Sequence, residues 1–145
     1  MEKYYNDKSE LGILISPGWG AGWSTWYKDF DNKEGEQRYA IALDKRVIEF
    51  WMNHKYDKEK TETINETYKM QDFLESIGYD HVYMGGYAQL ELVFIPKGQL
   101  FCILEHDGYE SIETPESMGM IIAEWGVREV SESGENYRDN FICGK

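Results

Sequence analysis

The residues best equipped for chemistry lie in one segment, Ser16-Pro17-Gly18-Trp19-Gly20-Ala21-Gly22-Trp23-Ser24-Thr25-Trp26. Glycine lets backbone N–H groups approach a ligand, Ser24 and Thr25 add hydroxyls, and indole rings stack on flat bases. Such a loop suits an anion or a nucleotide. Its spacing nevertheless matches neither phosphate fingerprint: there is no G-x-G-x-x-G opening a helix and no Gly-Lys-Ser/Thr of a P-loop. The competing reading, a tight structural loop whose tryptophans fill the core, is the favoured one. Tyr83-Met84-Gly85-Gly86-Tyr87 repeats the theme and offers an opposite wall, while taken alone an ordinary glycine turn between strands is the favoured reading. The ligand-contact set, should a pocket form here, is Trp19, Gly20, Gly22, Trp23, Ser24, Thr25, Trp26, Tyr83, Gly85, Gly86 and Tyr87.

Other chemistry is thin. Ser16, Ser24 and Cys102 are the nucleophiles to weigh, and none sits in a G-x-S-x-G elbow. His54, His81 and His106 are scattered, and no HExxH or CxxC spacing occurs. Glu105-His106-Asp107 coincides with a turn signal and reads as solvated. No catalytic residue, metal or cofactor is assigned, and a binding protein is favoured over an enzyme.

Charge narrows the partners. Twenty-seven acidic residues against 15 basic ones give a net charge of −12 over 145 residues. A polyanion is repelled by such a chain, so direct nucleic-acid binding is not expected. From Glu105 to Asp139, ten acidic residues face only Arg128 and Arg138. This concentration suggests an electronegative face for a basic protein partner, with Glu110, Glu113, Glu116, Glu129 and Glu132 as its contacts. The 15% aromatic content exceeds what one modest core needs, so some rings should sit at a surface. Two cysteines cannot build a disulfide framework; Cys102 reads as a buried free thiol and Cys143 lies near the terminus. The polar start and the short apolar runs predict neither a signal peptide nor a membrane span, so a reducing cytoplasm is expected.

The elements that must position these residues predict one α+β domain over 1–145, mostly antiparallel β-sheet with two α-helices. Residues 11–15 form a continuous apolar run and read as a buried strand. The stretch 30–37 is polar and loop-like, and 39–43 is either a short strand or the lead-in to a helix. Asp44 is the N-cap of a helix to about Lys55, with Val47, Ile48, Trp51 and Met52 as its apolar stripe. A second helix starts near Thr63, carries Met70, Phe73, Leu74 and Ile77 on one face, and stops at Gly78. Residues 81–84, 90–95 and 99–105 read as strands, the last two joined as a hairpin through Pro96-Lys97-Gly98. His106-Asp107-Gly108 then turns into an alternating strand over 109–113, and 120–125 with 127–130 suggest a further pair.

The segment Ile15-Ser16-Pro17-Gly18-Trp19-Gly20-Ala21-Gly22-Trp23-Ser24-Thr25-Trp26 resembles a GYGAGWSTW motif of small bacteriophage and prophage proteins. Gly78-Tyr79-Asp80-His81-Val82-Tyr83-Met84-Gly85-Gly86-Tyr87, Ile95-Pro96-Lys97-Gly98 and Asp107-Gly108-Tyr109-Glu110-Ser111-Ile112 are similar to later motifs of the same proteins. The resemblance implies viral origin and a setting in the cytoplasm of an infected bacterium. Leu92 to Phe101 also looks like the strand–turn–strand of ADP-ribosyltransferase folds, with no catalytic residue to carry over. Three functions follow as expectations: an anti-CRISPR-like or other anti-defence protein that binds a basic host protein; a homo-oligomeric sponge for a nucleotide immune signal; and a nucleotide-modifying enzyme of ADP-ribosyltransferase type. No membrane partner is expected.

Overall fold

The run Leu11-Gly12-Ile13-Leu14-Ile15 has no polar face to offer to solvent, and the rest of the chain covers it on both sides. In the computed structural model, which describes residues 1–54 and 63–121, this run is strand β1 (Glu10–Ile15). Strand alternation sends Leu14 into one cluster with Trp23, Ile41, Val47, Ile48, Met70, Leu74 and Tyr87. It sends Leu11, Ile13 and Ile15 into a second, with Ala42, Leu43, Ile95 and Ile103. β1 therefore divides the core into two halves. Strand β2 (Glu91–Pro96) pairs with it antiparallel, Glu10 opposite Pro96 and Ile15 opposite Glu91.

A second antiparallel ladder joins β3 (Cys102–His106) to β4 (Tyr109–Glu113). Its two-residue turn places Asp107 at φ 50° and Gly108 at φ 82°. Two successive left-handed residues match the right-handed twist of a hairpin, which is why a turn residue and a glycine stand there.

The helices complete an α+β arrangement, the class expected from the sequence. Helix α1 (Lys28–Asn32) and a 3-10 turn over Gly35–Tyr39 lead into α2 (Ala40–Leu43). Helix α3 (Lys45–His54) begins at Asp44, whose Oδ1 accepts the backbone N–H of Arg46 at 2.9 Å, an N-cap bond. Helix α4 (Thr63–Ser76) packs on α3 by stacking Phe73 on Phe50, ring centroids 4.2 Å apart. It ends at Gly78, with the N–H of Tyr79 reaching back to Leu74 at 2.8 Å and that of Gly78 to Glu75 at 3.1 Å.

Five expectations change. Residues 90–95 and 99–105 do not pair with each other: β2 goes to β1, because β1 is buried on both faces and its backbone groups must find partners. Residues 81–84 are not a strand; His81 sits at φ 59° inside a turn. The polar stretch 30–37 is largely helical, anchored by buried Phe30, over which the Arg38 guanidinium lies 4.2 Å from the ring centroid. Cys102 is buried as expected but is disulfide-bonded rather than a free thiol; its sulfur also lies 4.0 Å from that of Met118. Of the further strand pair, Met120 and Ile121 are in no strand. The rest of that pair, with Lys55, Glu129, Glu132 and Cys143, falls outside the described residues.

Candidate functional site

The glycine-aromatic loop leaves the end of β1, and the β3–β4 hairpin lies against it. The contact is a backbone seam. Glu110 donates its N–H to the Ser16 carbonyl at 2.9 Å, and Gly20 donates to the Asp107 carbonyl at 2.6 Å. At Gly108 a side chain is impossible on a second count, since a Cβ would lie 2.6 Å from the Ala21 nitrogen.

The loop's polar groups converge on one carboxylate. Glu110 is fully buried. Its Oε1 accepts the Ser16 N–H at 2.9 Å. Its Oε2 accepts the Thr25 N–H at 2.7 Å, the Thr25 hydroxyl at 2.6 Å and the Ser24 hydroxyl at 3.3 Å. Backbone and hydroxyl donors around a concavity are what an anion site requires. Here the anion belongs to the chain itself. Burial pushes the Glu110 carboxyl up from the ordinary glutamate value, and the bonds from Thr25, Ser16 and Ser24 counter part of that push.

This accounts for several predicted ligand contacts. Ser24 and Thr25 spend their hydroxyls on Glu110, and the Gly20 N–H is held by Asp107. Trp23 is 0% exposed in the main core cluster, its indole N–H without a hydrogen-bond partner. Tyr87 is buried and donates its hydroxyl to the His54 carbonyl at 2.9 Å; burial, with a smaller contribution from Glu66, raises its phenol to about 12. Trp23 and Tyr87 are thus core residues, not stacking walls. Glu110, expected on a partner-binding surface, is likewise an interior staple. Glu113 is half-buried and Glu116 exposed.

The two glycine segments do meet, as their shared composition suggested. Gly86 donates to the Gly22 carbonyl at 3.2 Å, and a Cβ at Gly86 would stand 2.6 Å from that oxygen and 2.4 Å from Ser16 Oγ. Across this seam Trp26 lies on Gly22 and Tyr83 folds over Gly85. The rings touch with centroids 4.8 Å apart and planes at 49°, and they remain 42% and 43% exposed. The largest exposed ring of the loop is Trp19, at 64%. It rests on the hairpin, 5.1 Å from the Tyr109 ring and edge-on to His106 at 5.4 Å.

Sequence reasoning placed Glu110 on a partner surface and missed its interior role. The parity of β4 was the available signal: Glu110 alternates in phase with Ile112, which packs against the second core cluster. Among the described residues no three His, Cys, Asp or Glu side chains gather as a metal site would require, and no helix is long and apolar enough to cross a membrane. No family model, curated protein or solved structure matches this chain.

Proposed function

We propose that this chain is an accessory binding protein of bacteriophage type that engages a basic host protein, in the manner of an anti-CRISPR or other anti-defence inhibitor acting inside the host. The observation that carries it is the exposure of three rings on and beside the glycine-aromatic loop, Trp19 over the β3–β4 hairpin and the Trp26–Tyr83 pair. These rings are exposed yet fixed by neighbours, as interface anchors should be. The stretches of chain that carry these rings, residues 11–27, 79–95 and 100–121, contain neither lysine nor arginine. Complementarity then selects a positively charged partner. The nucleotide readings lose support because the loop donors that would cradle a phosphate are already taken by Glu110.

The test is plaquing of a targeted phage on a host with an active defence system. Wild-type protein should restore plaquing. A variant carrying Glu113→Lys, Glu116→Lys and Trp26→Ala should fail to do so while still unfolding in one cooperative transition. Full protection by that folded variant would overturn the reading. The Cys102 disulfide is the observation that sits against a reducing compartment. Counting thiols in protein extracted from the host cell without reductant tests the compartment directly: a retained Cys102 disulfide would overturn the cytoplasmic part of the reading.

A further inference from the structure

Trp19 is the exposed ring with the most unusual setting. It projects from a loop tip yet is held on two sides, by Tyr109 at 5.1 Å and His106 at 5.4 Å. The backbone beneath it is pinned to the hairpin through Gly20 and Asp107. The indole therefore presents most of its surface to solvent with little freedom left to lose on binding. The hairpin turn adds exposed carboxylates on the same tip. Glu105 closes the turn by accepting the Gly108 N–H, and Asp107 is exposed beside it.

We propose that the Trp19 tip is the seat for an arginine side chain of the partner, stacked on the indole and paired with Asp107. This rests on the reading of the chain as a binder of basic proteins and names the side chain it selects. An aromatic ring attracts any cation, but a planar guanidinium also stacks on the ring while its N–H fork reaches a carboxylate. An ammonium offers a point charge and keeps its water more strongly. A ring whose neighbour Gly20 is bonded through the backbone to an exposed aspartate, within stretches of chain that contain no lysine or arginine, thus favours arginine over lysine. The Trp26–Tyr83 pair differs: each ring covers the other and lies on its own glycine.

The experiment uses the full chain and two probes of equal length and charge, acetyl-(Gly-Arg)4-amide and acetyl-(Gly-Lys)4-amide. Indole N–H resonances are followed by NMR during titration. The arginine peptide should shift the Trp19 resonance saturably and bind at least several-fold more tightly than the lysine peptide. Trp19→Ala and Asp107→Asn should each remove that preference, and Trp26→Ala should retain it. Equal binding of both peptides, or shifts confined to Trp26, would overturn the arginine seat and leave the basic-partner reading standing. No binding of either peptide at any indole would overturn both.

Discussion

Two carboxylates are buried among the described residues, and they are held in opposite ways. Asp44 sits at the start of α3 and takes a two-pronged grip from Arg46, Nε at 3.1 Å and Nη2 at 2.7 Å, plus the Tyr79 hydroxyl at 2.8 Å. Burial pushes its carboxyl up, but the bonds from Arg46 and Tyr79 outweigh burial and hold it below the ordinary aspartate value. Glu110 has no cation among these partners. Its donors are neutral, burial dominates, and its carboxyl is pushed up. The contrast is also one of distance along the chain. Asp44 is gripped mainly by a residue two positions away, whereas Glu110 reaches partners 85 to 94 residues away. One carboxylate finishes a helix; the other holds a fold together.

Removing Glu110 should have the largest effect. Glu110→Ala strands two buried N–H groups and two hydroxyls, for a loss of about 3 kcal/mol measured by urea unfolding. Equal stability of wild type and variant would show that the staple carries nothing. Gly86→Ala should follow at roughly 2 kcal/mol, because its Cβ would meet a backbone oxygen that cannot rotate away. Asp44→Ala should cost about 1 kcal/mol, near the usual value of an N-cap.

Acid titration sharpens the comparison because the two groups act with opposite sign. Asp44, with its folded value depressed, contributes stability present above its unfolded value of 3.8 and lost as pH falls through the folded value. Glu110, raised from 4.5, contributes stability present below that value and lost as pH rises through its folded one. Stability measured from pH 3 to 7 should therefore lose its acid limb in Asp44→Asn and its mildly acidic decline in Glu110→Gln. Unchanged profiles would contradict the assignment. The smallest effect belongs to Trp19→Ala, which should alter stability by less than about 0.5 kcal/mol, since the ring is mostly in solvent.

What could be read without coordinates was local. β1, α3, α4, the Asp44 cap, the Gly78 stop and the 106–109 turn all rest on signals within a few residues. The choice of β1 as partner for β2 rests on burial of a distant strand, which no local pattern encodes. The same holds for the site. The meeting of the two glycine segments was legible as a shared composition, and the filling of the loop by Glu110 was not. A glutamate in a strand looks solvated until the face it occupies is known to be inside.

The β1–β2 ladder has a consequence for how the chain acquires its shape. It joins residue 10 to residue 96, and the staple joins residues 16 and 25 to residue 110. Contacts of such long separation must close a large loop before they return any stabilisation, and they slow folding. During synthesis the aromatic loop emerges early and waits for most of the described chain to follow. Until residue 110 arrives, the donors that Glu110 satisfies have no acceptor and Trp19 has no hairpin to lean on. The setting of Trp19 is therefore among the last features to form, and a shortened chain ending before β4 has no means of making it.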